Sequence, residues 1–106
     1  RGSIVNTASI GGLLGDFRGT LYGAAKAGVI GLTRYIASQY GKLGIRCNAV
    51  APTIVDTPGQ RVYNTSVGQD GIQMGDARHV ALAVRYLLCD APPVMTGQVL
   101  DLFTTL

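Results

Sequence analysis

Apolar residues along this 106-residue chain recur at two different periods, and the switching between them predicts an α/β fold. Residues 2–8 (GSIVNTA) are a short β-branched run between Gly2 and the Ser9–Gly12 stretch, and they read as a buried strand. Residues 9–19 carry Gly11, Gly12, Gly15 and Gly19, which break any regular pattern and mark a loop. From Thr20 to Gly41 the period becomes helical. Leu21, Ala25, Gly28, Val29, Leu32, Ile36 and Tyr40 make one apolar stripe, with Thr20 as the expected N-cap and Gly41 as the expected stop. Gly23, Gly28 and Gly31 each cost about 1 kcal/mol relative to alanine inside a helix, so they predict that something packs closely along it.

Residues 45–51 (IRCNAVA) form a second short strand, and strand–helix–strand is a unit whose strands run parallel with a right-handed crossover. Pro52 to Pro58 then leaves the carboxyl end of that strand as a loop. Residues 59–75 are glycine-rich with weak periodicity and read as a mobile lid or a partly helical loop. Asp76 is the expected N-cap of a helix to about Cys89, with Val80, Ala83, Val84, Leu87 and Leu88 inward. Pro92 and Pro93 end it, and residues 97–103 (GQVLDLF) alternate as a last strand.

Composition changes the picture in one respect. Hydrophobic residues make up 47% of the chain and charged residues only 14%, a low charge content for a domain that must expose most of its surface. Together with a start at Arg1 rather than methionine, this predicts part of a larger body. The net charge of +3 does not predict a nucleic-acid partner, because the nine basic residues are scattered without a run or stripe. No uninterrupted apolar segment reaches about 18 residues, so no membrane partner is expected. Cys47 and Cys89 form no CxxC pair, and both read as reduced, buried thiols of a cytoplasmic protein. His79 stands alone, and no metal site is expected.

The candidate chemistry lies in Tyr22 and Lys26, spaced as Y-x-x-x-K at the head of the long helix, with Ser9 upstream of them. Residues four apart share a helix face, so Lys26 sits one turn above Tyr22 and favours its phenolate electrostatically. A free tyrosine ionises near ~10 and needs such a neighbour to serve as acid or base at neutral pH. In parallel α/β sheets ligands bind beyond the carboxyl ends of the strands, and sequence order brings Ser9, Tyr22 and the segment Pro52–Thr57 to that end.

The segments S3-I-V-N-T-A-S9, Y22-G-A-A-K26-A-G, I45-R-C-N48-A-V-A-P52 and T96-G97-Q98, in this order, resemble the catalytic half of the short-chain dehydrogenase/reductase family. The resemblance implies a partial doubly wound, Rossmann-like parallel sheet made of the fold's last three strands and their helices. Residues 1–106 are then the carboxyl-terminal part of a single NAD(P)-binding domain whose amino-terminal nucleotide-binding half lies upstream of Arg1. It implies NAD or NADP as cofactor and a small ketone or secondary alcohol as substrate, with this chain alone inactive. Tyr22 would be the acid/base, Ser9 would orient the substrate oxygen, and Lys26 would stabilise the phenolate and hold the nicotinamide ribose. Pro52, Ile54 and Thr57 match positions beside the nicotinamide carboxamide, while Asn48 matches a structural strand-end asparagine. Asp16, Phe17 and Arg18 fall where the family lines its substrate pocket.

Each assignment has a plainer reading beside it. Tyr22 and Lys26 also suit a solvated helix face, Ser9 a strand-closing turn, Thr57 a cap for the following turn, and Asp16–Arg18 an ordinary loop. A different class of function, a non-catalytic dinucleotide-sensing or interaction subunit on the same scaffold, stays open. The small residues and two-sided apolar content of the long helix predict packing against a partner subunit, as in the family's homo-dimers and homo-tetramers.

Overall fold

The computed structural model describes residues 1–102. Strand β1 (Gly2–Thr7), helix α1 (Thr20–Tyr40) and strand β2 (Ile45–Pro52) form the expected crossover unit, and β1 pairs with β2 in parallel from Gly2 opposite Ile45 to Thr7 opposite Val50. Strand β5 (Val99–Leu102) joins the other side of β2, also parallel, so the sheet runs β1-β2-β5 with β2 central. Residues 47–52 of β2 are buried, as a strand covered on both faces requires. The last strand was expected over 97–103; its observed span is shorter, and Phe103 lies outside the described residues.

Gly19, at φ +99°, occupies the N-cap position of α1 and Thr20 is its first helical residue, so the expected threonine cap is one residue late. At the other end Gly41 stays right-handed and leads into a 3-10 turn, Gly41–Leu43; the left-handed stop is Gly44, at φ +78°. The larger correction concerns the face of α1. Ile30, Thr33 and Ala37 are buried, whereas Leu21 is 88% exposed and Leu32 54%. Most of the apolar stripe, Leu21, Ala25, Gly28, Leu32 and Tyr40, therefore points away from the sheet, while Val29 packs on the core. Ile30 meets the strands together with the smaller Thr33 and Ala37, and the core cluster beneath α1 is Ala8, Ile10, Ile30, Ala49 and Ala51, flanked by Val29 and Val99.

After β2 the chain makes a two-residue strand β3 (Val55–Asp56) and helix α2 (Pro58–Ser66). A second two-residue strand β4 (Gly75–Asp76) pairs in parallel with β3 and leads into α3 (Ala77–Arg85). The expected lid is thus helical in its first half. Its start signal is Thr57 followed by Pro58, a hydroxyl cap with proline in the first turn. Buried Asn64 ties α2 to the segment after it: its carbonyl accepts from the Gln69 N–H at 2.7 Å and its amide reaches Met74 Sδ at 3.5 Å. Asp76 caps α3 as expected, accepting from the Arg78 N–H at 2.8 Å.

From Tyr86 to Asp90 the helix widens into a π turn, closed by the Ala91 N–H on the Tyr86 carbonyl at 2.8 Å. The extra residue in that turn rotates the register. Leu87 is fully buried, but Leu88, expected inward, is exposed, and so is Cys89. Only Cys47 is the buried thiol the sequence predicted, and burial pushes it up from its ordinary value. The Leu87 carbonyl accepts from both Ser3 Oγ and Arg46 Nη1, each at 3.1 Å, joining the end of α3 to the first residues of β1 and β2. No helix among the described residues is long and apolar enough to cross a membrane.

Candidate active site

Three segments lie at the carboxyl ends of β1 and β2: the turn after β1, the first turns of α1 packed on it, and the residues that follow β2. Ser9 closes β1 and is 1% exposed. Its Oγ accepts from the Gly11 N–H at 3.1 Å and so caps the 3-10 turn Ile10–Gly12. That turn packs directly on α1. A Cβ on Gly11 would lie 3.2 Å from Tyr22 Cε1, and one on Gly12 would lie 2.7 Å from the Lys26 carbonyl carbon, so only glycine permits the approach. The reciprocal contact is Gly23, whose absent side chain leaves room for the Gly11 carbonyl. The glycines at 11, 12 and 23 are where the predicted close approach falls; Gly28 and Gly31 face open space.

Lys26 lies one turn beyond Tyr22 and donates from Nζ to the Thr7 carbonyl at 3.3 Å, which anchors the ammonium to the last residue of β1. The same Nζ is 5.8 Å from the centroid of the Tyr22 ring. A second cation is closer. The Arg18 guanidinium carbon is 4.9 Å from that centroid, within cation–π range, and its Nη1 donates to the Tyr22 hydroxyl at 3.4 Å. Arg18 is held in turn by Asp16, which accepts from the Arg18 backbone N–H and Nε, each at 2.9 Å, and from Nη2. Burial pushes the Asp16 carboxyl up, but the hydrogen bonds and charge of Arg18 outweigh it and hold the group below its ordinary value.

Pro52 ends β2 and is buried, as is Ile54, whose carbonyl accepts from the Gly75 N–H at 2.7 Å. Thr57 takes its plainer role as a cap, its Oγ1 accepting from the Gln60 N–H at 3.1 Å. Asn48 is structural: its amide nitrogen donates to the Met95 carbonyl at 3.0 Å, and its oxygen accepts from the Gln98 N–H at 3.0 Å. The structure thus gathers Ser9, Tyr22, Lys26, Pro52 and Ile54 at one end of the sheet. What sequence reasoning did not reach is the contact of Tyr22 with Arg18, a residue read only as pocket-lining or as ordinary loop. Its i, i+4 spacing to Tyr22 was the available signal, but Arg18 precedes the helix, where that spacing alone fixes no face.

The arrangement of a serine-capped turn, a helix-borne tyrosine–lysine pair and a parallel strand end has close counterparts. The family model described as enoyl-(acyl carrier protein) reductase matches residues 1–102. The chain is 46% identical over 104 residues to a 7alpha-hydroxysteroid dehydrogenase of Bacteroides fragilis, covering 92% of this chain and 40% of the relative. It is 42% identical over 103 residues to a (3R)-3-hydroxyacyl-CoA dehydrogenase of the dog, with the same coverage. Among solved structures, that of ElxO with NADP bound superposes with a TM-score of 0.82 at 35% identity, covering 94% of this chain and 44% of the other. The chain therefore belongs to the short-chain dehydrogenase/reductase family, a family of oxidoreductases. It spans about two fifths of the length of the relatives it matches.

Proposed function

We propose that the protein carrying this chain is an NAD(P)-dependent oxidoreductase that interconverts a ketone and a secondary alcohol, with Tyr22 as the proton donor and acceptor. The observation that carries this reading is the position of the Tyr22 phenol at the carboxyl end of a parallel sheet, packed on the Ser9 turn and flanked by Lys26.

The residues present fit the nicotinamide-ribose half of a dinucleotide. Lys26 spends one donor on the Thr7 carbonyl and keeps others for a ribose diol. Ile54 offers an apolar wall, and Pro52 and Thr57 frame the segment that would face the carboxamide. The bound nicotinamide supplies or removes a hydride at the substrate carbon. This chain's residues handle the proton. During reduction Tyr22 gives its phenolic proton to the carbonyl oxygen, and during oxidation it takes that proton back. Ser9, whose Oγ already accepts from Gly11, retains its own proton to donate to the same oxygen. The charge left on the phenolate is met by the Lys26 ammonium.

The long α1 and its outward Leu21, Leu32 and Tyr35 support assembly as a homo-oligomer, in which that face would be covered by a second copy. The domain reading follows in the same way. These residues form the carboxyl-terminal part of one Rossmann-type domain, completed by a nucleotide-binding half elsewhere in the protein.

Tyr22→Phe in the complete protein tests the assignment. It should lower kcat by about 10²–10⁴ for any carbonyl substrate that is turned over, with cofactor affinity retained. Undiminished turnover would remove Tyr22 from the chemistry. If no carbonyl or alcohol is turned over by the parent protein while a nicotinamide nucleotide binds, the sensing-subunit reading takes its place.

A further inference from the structure

Three observations around the Tyr22 hydroxyl are left unused by the serine–tyrosine–lysine set. The group in hydrogen-bond contact with the phenol oxygen is Arg18, at 3.4 Å, and not Lys26, whose ammonium lies toward the ring and is spent in part on Thr7. The Arg18 guanidinium is stacked on the same ring, at 4.9 Å from its centroid. Its Nε and Nη2 are both taken by Asp16, with the two side chains only 11% and 19% exposed. A surface arginine with a free fork would suit an anionic substrate group. This one has its fork occupied and a single remaining edge turned to the phenol.

From this geometry we infer that Arg18, clamped by Asp16, is a positioning residue for Tyr22: it fixes the phenol rotor and supplies a second cation to the phenol oxygen. The inference rests on the reading of Tyr22 as the acid/base. The donated N–H occupies one lone pair of the hydroxyl oxygen and leaves the hydroxyl proton free to be given to a substrate carbonyl. Once that proton has moved to the carbonyl oxygen, the negative charge on the phenolate oxygen finds a donor already in place. No reorganisation is required at that moment, which is the condition under which a fixed charge is most effective. Asp16 has a definite part in this. A lone arginine in a glycine-flanked loop would sample many rotamers, whereas the two-point clamp leaves it one.

The charged groups facing Tyr22 are Lys26 from its own helix and Arg18 with Asp16 from the preceding loop; the packed 3-10 turn contributes only Gly11 there. Removing the Arg18 charge therefore leaves one cation where there were two. The acid limb of alcohol oxidation, on which the phenol must lose its proton before it can act as base, then moves toward higher pH.

The experiment compares the complete protein with Arg18→Met, which keeps the apolar stem, with Asp16→Asn, and with Tyr22→Phe. Alcohol oxidation is followed from about pH 6 to 10. Arg18→Met should move the acid limb of kcat/KM toward higher pH and lower kcat at neutral pH roughly tenfold, with the KM for nucleotide unchanged. Asp16→Asn, which loosens the arginine but also removes an anion, should lower kcat at neutral pH by less than Arg18→Met does. A ¹³Cζ tyrosine titration by NMR, with the Tyr22 signal assigned from its loss in Tyr22→Phe, should report the same displacement without turnover. If Tyr22→Phe is inactive while Arg18→Met keeps the parental pH profile and ¹³C titration, the positioning role is overturned. If Tyr22→Phe is fully active, it is the underlying acid/base reading that fails.

Discussion

Gly12→Ala is the most exacting perturbation the packing offers. The added Cβ would stand 2.7 Å from the Lys26 carbonyl carbon, 2.8 Å from the Ala27 nitrogen and 2.9 Å from the Lys26 oxygen. Ordinary contact begins near 3.4 Å, so the 3-10 turn and α1 must part by about 0.7 Å. Both partners are backbone, and no side chain can swing aside. Overpacking of this kind costs about 1–3 kcal/mol. The substitution recovers about 0.4–1 kcal/mol by restricting the unfolded chain, because Gly12 has no left-handed φ to lose. A net loss of about 1–2 kcal/mol should remain, and 1 kcal/mol corresponds to about 2–4 °C in Tm for a protein of the length of the relatives, of which this chain spans about two fifths. The same shift moves the turn bearing Lys26 away from the Ser9 cap, and on the proposed acid/base reading a misplacement near 1 Å should cost about 10²-fold in rate. Thermal unfolding followed by circular dichroism measures the first effect, and kcat of the complete protein the second. Gly15→Ala, with nothing within 4 Å of the new Cβ, is the control and should stay within about 0.5 kcal/mol of the parent. A Gly12→Ala protein as stable and as active as that control would refute the close approach.

Two further outcomes follow from other parts of the molecule. Gly28→Ala meets open space within this chain and should raise stability by up to about 1 kcal/mol through helix propensity; if light scattering instead shows dissociation, a partner subunit packs there, and a stabilised species of unchanged mass would count against that interface. Arg78, through its side-chain hydrogen bond, holds the Asp76 carboxyl down from 3.8 to about 2. A depressed folded-state value means the stabilisation is present above about 4 and is lost as pH falls toward 2. An Asp76→Asn variant, which keeps a capping oxygen, should therefore show a flatter decline of Tm between pH 4 and 2, and parallel curves would contradict the assignment.

The parts of the fold that could be read from the sequence are those fixed by short-range rules. The strands at 2–7 and 45–52 are bounded by turn residues, and Tyr22, Lys26 and Ser9 are ordered by spacing alone. The buried side of α1 was misjudged for a physical reason. Periodicity reveals that a helix has an apolar stripe but not which surface meets the sheet, and here Thr33 and Ala37 go inward while Leu21 and Tyr35 go outward. The wide turn at 86–90 was invisible because a one-residue change in winding leaves the composition untouched. Arg18 was read as a pocket or loop residue, but its place over Tyr22 was not legible, because it depends on the loop folding back through Asp16, a tertiary event with no local pattern.

The twofold-bonded carbonyl of Leu87 gives this architecture a polarity. By releasing one oxygen from the helical ladder, the wide turn stitches α3 to Ser3 and Arg46, where the parallel strands begin. Ser9, Tyr22 and Lys26, the proposed site, lie where the same strands finish. The fastening and the proposed site thus occupy opposite poles, so the loop around Phe17 and α2 can change in sequence while the knot that keeps the sheet in register stays tied.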